Sequence, residues 1–264
     1  MGMEISGSDM NASVAAEELI ANGITVHIGH SADNITGADC VIRTAAAHND
    51  NPEIAAARAA GIPIFERAQA WGYIMRAYKN AICVAGTHGK TTTTSMLTEI
   101  LLTAEKNPTI SVGGILHSIG GNIRVGGPEL FVTEACEYTN SFLSFFPTME
   151  IILNIEADHL DFFKDLDDIR HSFRLFAEKL DEKGLLIINR DIKNYEEISG
   201  GLPCRVVTFG HSKESDYSAA DITYDAFARP TFTLVEQGKA AGTITLGVPG
   251  EHNVYNALAA IATA

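Results

Sequence analysis

Apolar residues recur along the chain in short runs separated by longer amphipathic stretches. In the first part of the chain this pattern predicts strands at residues 3–6, 24–28, 39–44 and 62–65, and helices at residues 11–21, 52–61 and 67–78. Strands and helices that alternate at this spacing are typical of a parallel α/β sheet of the Rossmann type. We therefore predict an α/β fold with a Rossmann-like sheet for residues 1–79, interpreted as the first domain.

The alternation continues in residues 80–264, which we interpret as a second domain. The predicted strands lie at residues 81–85, 109–112, 130–133, 149–155, 185–189 and 205–209, and the predicted helices at residues 92–102 and 167–180. A β-rich stretch follows, and a last helix opens at residues 250–256. The glycine-rich residues 113–127 indicate either a mobile binding loop or a plain flexible connection.

The sequence Gly-Thr-His-Gly-Lys-Thr at residues 86–91 joins a predicted strand to a predicted helix. Backbone N–H groups at the start of such a helix can cradle phosphates. Lys90 would add a charge for the β- and γ-phosphates, and the Thr91 hydroxyl would bind Mg²⁺. The widespread phosphate-loop pattern has a further glycine where this chain has Val84, so the loop is a shorter form. The alternative is an ordinary glycine turn that caps a helix.

Glu134 and His159 each follow a later predicted strand. Because ligands of α/β sheets bind beyond the carboxyl ends of the strands, we expect both side chains at the edge that carries the loop. Thr91 and Glu134 offer the oxygen ligands that Mg²⁺ prefers, whereas histidine is an unusual magnesium ligand. Each residue alone is commonly a cap or a solvated turn, but together they predict a magnesium site. In the first domain, Asp9 would meet a ribose or cap a helix.

The amino-acid composition limits which classes of binding partner are expected. The 264 residues carry 33 acidic and 19 basic side chains, a net charge of −14. This balance argues against nucleic acid and against an anionic membrane as partners, since both require clustered Lys and Arg. The four scattered cysteines indicate reduced thiols, and the sequence shows neither an apolar run of about 20 residues nor a signal segment. These features predict a cytoplasmic protein.

Several segments match a known family in order over nearly the whole chain. They are Ser6-Gly7-Ser8-Asp9, Gly29-His30 with Asn34, Asp50-Asn51-Pro52-Glu53, Gly86 to Thr94, Glu134-Ala135-Cys136-Glu137, Asp158-His159-Leu160-Asp161 and Gly250-Glu251-His252-Asn253. With these segments the chain resembles the Mur ligases of peptidoglycan synthesis, ATP-dependent enzymes that join a carboxylate to an amine. The resemblance implies a truncated Rossmann-like UDP-sugar-binding domain in residues 1–79 and a P-loop-type ATPase domain in residues 80–264.

The resemblance also implies a reaction. ATP would phosphorylate the carboxylate of UDP-N-acetylmuramate, and the amine of L-alanine would attack the acyl phosphate to give an amide, ADP and phosphate. The alternatives are a sister ligase that adds a peptide to the same nucleotide sugar, and a non-catalytic ATP-binding remnant. A P-loop kinase or GTPase is disfavoured by the short loop. The oligomeric state is left open.

The family's functional residues map onto this sequence at matching positions. For ATP they are Gly86, Thr87, His88, Gly89, Lys90, Thr91 and Thr92, with His252, Asn253 and Asn256 near the adenine. The resemblance implies Mg²⁺ ligands at Thr91, Glu134 and His159, and catalytic roles for Lys90, Glu134 and His159. The substrate-contacting candidates are Asp9, His30, Thr44 and Asn122.

Two departures from the family pattern concern the ends of the chain. Family members begin with a strand and a glycine-rich turn that bind the UDP portion, and they end with a third domain that holds the amino acid. We expect this chain to be a fragment that does not form the peptide bond alone. Exposed sheet edge and apolar surface would then make it marginally stable or prone to self-association.

Overall fold

The computed structural model of the chain describes residues 2–44 and 46–264. The chain divides into two compact units, Met1–Ala70 and Trp71–Ala264, and helix α3 (Arg67–Met75) runs across the division. Among the described residues, no helix combines the length and the apolar character needed to cross a membrane.

The first unit contains two parallel strand pairs. Its elements are β1 (Ser6–Asp9), α1 (Val14–Ala21), β2 (Thr25–Ile28), a 3-10 helix (Ala32–Ile35), β3 (Val41–Arg43), α2 (Pro52–Ala60) and β4 (Ile64–Glu66). Strand β1 pairs with β2, and β3 pairs with β4, both in parallel. The parallel α/β arrangement is confirmed. The single continuous sheet expected from the pattern is not seen, because within residues 2–44 and 46–70 no ladder joins one pair to the other.

The first strand and the first helix begin later than the sequence predicts. Strand β1 starts at Ser6, where its pairing with β2 starts, because ladder hydrogen bonds rather than the apolar run decide the boundary. The hydroxyl of Ser13 accepts the N–H of Ala16 at 3.2 Å and caps α1. The interpretation of Asp9 as the helix cap is therefore wrong. Its carboxylate instead accepts the N–H of Asn11 at 3.1 Å.

Helix α2 follows the sequence signals closely. The Asn51 side chain accepts the N–H of Glu53 at 2.9 Å, and Pro52 occupies the first turn, where its missing N–H costs nothing. The helix ends at Gly61, which adopts the left-handed conformation with φ of 71°. The predicted helix at residues 52–61 is confirmed.

The second unit is built on one ten-stranded sheet with the order β14-β13-β12-β11-β10-β9-β5-β8-β6-β7. Its strands are β5 (Asn80–Ala85), β6 (Thr109–Leu116), β7 (Gly121–Arg124), β8 (Leu130–Ala135), β9 (Met149–Ile152), β10 (Leu185–Asn189), β11 (Arg205–Phe209), β12 (Tyr217–Tyr224), β13 (Pro230–Glu236) and β14 (Lys239–Thr245). Its helices are α4 (Lys90–Thr103), α5 (Leu166–Ala177), α6 (Glu196–Ser199) and α7 (His252–Thr263).

Strand β5 lies at the centre of the parallel part of the sheet, between β8 and β9. Its side chains Ile82 and Val84 belong to an apolar core that also contains Leu97 of α4 and Val254 and Leu258 of α7. A buried parallel strand reads as a continuous apolar run, which is why the sequence identifies β5 well. The loop that follows β5 therefore leaves from the middle of the sheet's carboxyl edge.

Most of the glycine-rich residues 113–127 form regular structure where the sequence predicts a loop. They continue β6 to Leu116, turn through a short 3-10 helix (His117–Ile119) and return as β7. Strands β6 and β7 pair in antiparallel fashion, with Ile110 opposite Arg124 and Ser111 opposite Ile123. The binding loop or flexible connection expected here is thus a hairpin at the sheet edge, where the backbone ladder forms despite the glycines.

Candidate functional site

Two glycines allow the chain to turn sharply between β5 and α4. Gly86 has a φ of 141°, and a Cβ added there would lie 2.9 Å from the Cβ of Leu153. Gly89 has a φ of 87°, and its added Cβ would lie 2.5 Å from Oδ1 of Asn256. A side chain is disfavoured at both positions by conformation and by space. The predicted strand, tight glycine loop and helix are confirmed.

The loop delivers the N-terminus of α4 to the edge of the sheet. The helix begins at Lys90, and in the described structure no side chain caps it. The N–H groups of a first helical turn have no partner within the helix, and the helix dipole places partial positive charge there. Such an uncapped N-terminus behind a glycine turn is suited to bind phosphate oxygens.

Asn154, which follows β9, forms hydrogen bonds to the loop through both its side chain and its backbone. Its side-chain oxygen accepts the N–H of His88 at 2.7 Å, and its side-chain amide donates to the His88 carbonyl at 2.9 Å. Its backbone carbonyl accepts the N–H of Thr87 at 3.1 Å. Asn154 is not among the site residues predicted from the sequence. The only signal was an amide side chain at the end of an apolar strand.

Lys90 is folded back into the loop. Its ammonium group donates to the carbonyls of Gly86 and Thr87 and to Oε2 of Glu137 at 3.2 Å. Glu137 is only 2% exposed, and its other oxygen has no partner among the described residues. Glu137 lies within the family segment at residues 134–137, but it is not among the site residues predicted from the sequence either.

Thr91 and Glu134 meet at the mouth of the loop. The hydroxyl of Thr91 donates to Oε2 of Glu134 at 3.0 Å, and the N–H of Gly113 donates to the other oxygen of that carboxylate. Glu134 reaches this place because it stands near the end of β8, opposite Val84 of β5 in register. One hydroxyl and one carboxylate side by side fit a magnesium ion, which prefers oxygen ligands.

In the described structure, His159 makes no polar contact with Thr91 or Glu134. Its backbone has a φ of 52°, its ring is 4.6 Å from the ring of Tyr138, and its Nε2 lies 3.9 Å from Asp158. Across residues 2–44 and 46–264, no group of three or more His, Cys, Asp or Glu side chains is arranged to hold a metal. Magnesium commonly keeps several waters and binds substrate phosphates, so a protein contribution from Thr91 and Glu134 alone fits its chemistry.

The start of α7 reaches the loop through buried asparagines. The side chain of Asn253 donates to the carbonyl of Pro249 at 2.7 Å and accepts from the amide of Asn256 at 3.0 Å. Asn256 in turn lies against Gly89, as the close approach of its Oδ1 shows. His252 is exposed, next to Gly250. The structure therefore brings one of the predicted adenine-side residues, Asn256, next to the phosphate loop.

In the first unit, one substrate candidate, His30, belongs to a polar network around Glu53. Ser8 donates to Glu53 at 2.7 Å and Asn34 donates at 2.7 Å, while Nδ1 of His30 lies 3.5 Å from the same carboxylate. Partial burial acts to raise the pKa of Glu53, but the hydrogen bonds from Ser8 and Asn34 and the nearby His30 outweigh it, so the net shift is downward. The network fixes the position of His30.

The other substrate candidates have fewer contacts. Asp9 is exposed at the end of β1, and Thr44 is exposed directly after β3. Asn122 is exposed on β7 of the second unit. Their assignment to a substrate remains a prediction from the family resemblance.

The chain belongs to the Mur ligase family. The sequence profile described as "Mur ligase middle domain" matches residues 84–264, and the one described as "Mur ligase family, catalytic domain" matches residues 1–79. The curated relatives it matches are named UDP-N-acetylmuramate–L-alanine ligase. The protein of Lachnospira eligens is 62% identical over 263 residues, and that of Caldanaerobacter subterraneus is 47% identical over 261 residues. Each match covers 99% of this chain and 57% of the relative, so the chain spans little more than half of their length.

Solved structures agree with this placement. The UDP-N-acetylmuramate–alanine ligase of Thermotoga maritima has a TM-score of 0.81 at 34% identity, over 98% of this chain and 58% of that one. A Neisseria structure, a ligase of UDP-N-acetylmuramate and L-alanyl-γ-D-glutamyl-meso-diaminopimelate, has a TM-score of 0.86 at 28% identity. That match covers 99% of this chain and 85% of the other.

Proposed function

We propose that this chain is the nucleotide-sugar-binding and ATP-binding part of a UDP-N-acetylmuramate–L-alanine ligase. Residues 1–79 would hold UDP-N-acetylmuramate, and residues 80–264 would hold ATP with Mg²⁺. The observation that carries the proposal is the glycine loop at residues 86–91, with Lys90 inside it and the pair of Thr91 and Glu134 at its mouth. The 62% identity to a ligase of that name supports the choice of substrates.

In the whole ligase, the carboxylate of the sugar would attack the γ-phosphorus of ATP, giving an acyl phosphate and ADP. The amine of L-alanine would then form the amide and release phosphate. Phosphoryl transfer needs positioning and charge neutralisation more than a protein nucleophile. Lys90 would neutralise the β- and γ-phosphates, and Mg²⁺, when bound, would neutralise further phosphate charge.

Thr91 and Glu134 are proposed to hold the first Mg²⁺, because their oxygens already lie 3.0 Å apart. His159 is proposed for a second metal on the family resemblance alone. Asn253 and Asn256 are proposed to border the adenine, a role supported by the contact of Asn256 with the loop. Their mutual hydrogen bond would keep the adenine side of the site in place.

A binding measurement on the 264-residue chain tests this proposal. Titration calorimetry with MgATP is expected to show binding for the natural chain and a loss of at least about tenfold in affinity for Lys90→Ala, because one charge at the phosphates is removed. Lys183→Ala, at an exposed lysine on the turn before β10, is the matched control and is expected to bind like the natural chain. Absence of MgATP binding, or equal affinity of Lys90→Ala, would contradict the nucleotide site.

A second candidate is ligation of a peptide to the same nucleotide sugar. It is favoured by the TM-score of 0.86 and the 85% coverage of the Neisseria peptide ligase. The identity of 28% to that ligase is well below the 62% to the L-alanine ligase, so we place it second.

A further inference from the structure

The ammonium group of Lys90 makes a full set of contacts within the protein. A lysine ammonium has three N–H donors. Here they face the carbonyls of Gly86 and Thr87 and the carboxylate of Glu137. A phosphate that takes up Lys90 must therefore displace contacts that already exist.

In the described structure, Glu137 has one charged partner, Lys90, whereas the ammonium group of Lys90 has two carbonyl acceptors besides Glu137. The carboxylate is 2% exposed, Lys90 is its only ionic partner in the described structure, and its Oε1 has no partner there. A buried carboxylate without a counter-charge is strongly unfavourable. If the lysine moves to a phosphate, Glu137 loses its partner unless another cation replaces it.

Glu137 has little freedom to move away. Its carbonyl accepts the N–H of Asn140 at 2.8 Å in a turn where Thr139 and Asn140 adopt left-handed φ values of 56° and 57°. The Asn140 side chain accepts a hydrogen bond from buried Ser172 of α5, and fully buried Phe142 follows. The turn thus fixes the Glu137 backbone beside the loop.

The charges around the loop do not favour the binding of a metal-free nucleotide, which is a polyanion. Lys90 contributes one positive charge, and the two carboxylates that contact Lys90 and Thr91, those of Glu137 and Glu134, leave one excess negative charge among these groups. The helix N-terminus adds only a partial positive charge. A nucleotide without metal meets this negative excess, whereas a nucleotide with Mg²⁺ brings two positive charges with it.

We propose that Glu137 is a specificity-determining residue that makes the phosphate loop select magnesium-bound nucleotide over metal-free nucleotide. By holding Lys90 as its own counter-ion, Glu137 lowers the affinity of the loop for phosphates alone. The cation restores the charge balance when the lysine turns to the phosphates. This inference rests on the proposed function, since it needs a nucleotide in the loop.

The test compares ADP binding to the 264-residue chain in EDTA and in saturating MgCl₂, by titration calorimetry. Glu137→Gln keeps the shape of the side chain and removes its charge. We expect its affinity for metal-free ADP to rise about tenfold or more, because a nearby repulsive charge in a partly buried site is removed. Its affinity for MgADP is expected to change less than about threefold, so the preference for the magnesium form shrinks.

Matched variants separate the local charge from other effects. Glu182→Gln removes a carboxylate from the exposed turn before β10, at the opposite edge of the sheet, and should leave both affinities unchanged. Glu137→Asp keeps the charge and should keep the preference for MgADP. If Glu137→Gln fails to give a cooperative melt, Glu137→Ser removes the same charge and must shift metal-free binding in the same direction.

The outcomes are distinguishable. Unchanged or weaker metal-free binding by Glu137→Gln, with the natural chain binding MgADP, would overturn this inference and leave the nucleotide site standing. Equal weakening with and without metal would show that Glu137 only positions Lys90. No ADP binding by the natural chain under either condition would overturn the proposed function and this inference with it.

Discussion

At the scale of single residues, the most unusual side chain outside the site is Glu150 of β9. It is 0% exposed, neither of its oxygens has a partner in the described structure, and it stands opposite Cys83 of β5. Burial raises the pKa of the Glu150 carboxyl well above its ordinary 4.5, although Lys179 acts in the opposite direction. The folded chain therefore retains a proton on Glu150 at pH values where the unfolded chain releases it.

This retention makes folding less favourable as the pH rises. Below about pH 4.5 both states are protonated and the titration of Glu150 does not change the free energy of unfolding, whereas above it the unfolded state gains free energy by ionising, at up to about 1.4 kcal/mol per pH unit. Glu150→Gln cannot ionise, so it should be more stable than the natural chain at neutral pH. Urea unfolding followed by circular dichroism at several pH values checks this.

The two urea curves should converge as the pH falls towards the ordinary pKa of a glutamate. Glu182→Gln, at an exposed position, should show no such pH-dependent gain. A constant difference between Glu150→Gln and the natural chain at all pH values would show that Glu150 does not titrate differently in the two states.

At the scale of elements, the sequence predicts helices, strands and turns well where residues close together in the chain determine them. Strand β5, the glycine loop and α4 follow one another directly, and α2 carries its own cap residues, so both could be predicted. Asn154 and Glu137 could not, because they reach the loop across 66 and 47 residues of sequence. The hairpin of β6 and β7 was missed because glycine content indicates flexibility while strand pairing depends on the neighbouring strand.

The close approach of Gly89 in the loop to Asn256 of α7 can be tested by substitution. Gly89→Ala would place a Cβ 2.5 Å from Oδ1 of Asn256 and would also require an alanine at φ of 87°. We expect a loss of about 2–4 kcal/mol in the free energy of unfolding, the sum of conformational strain and a packing clash. Urea unfolding measures the loss.

Gly201→Ala is the matched control for that change. Gly201 has a φ of 71°, but no atom lies within 4 Å of its added Cβ, so only the conformational cost of about 1 kcal/mol applies. Asn256→Ala should relieve part of the clash, so the double variant with Gly89→Ala should lose less stability than the sum of the single losses. Additive losses would show that Asn256 does not limit this position.

At the scale of the whole molecule, the apolar core is unevenly distributed. In the described residues of the first unit, the buried apolar side chains are Ala16, Ile54 and Ala57, whereas Met3, Ile5, Val14, Ile42 and Phe65 are among the exposed ones. The second unit holds a continuous core around its sheet. Small cores give little stability, and exposed apolar surface favours association. The expected marginal stability thus stays a prediction, now assigned to the first unit.

At this scale the proposed function depends on whether the loop at residues 86–91 binds the phosphates of a magnesium nucleotide. The most direct measurement is a crystal structure of the 264-residue chain grown with MgADP. We expect the β-phosphate on the backbone N–H groups at the start of α4, Lys90 turned from Glu137 towards it, and the metal on the oxygens of Thr91 and Glu134. A nucleotide bound elsewhere, or a loop that stays empty at saturating MgADP, would contradict it.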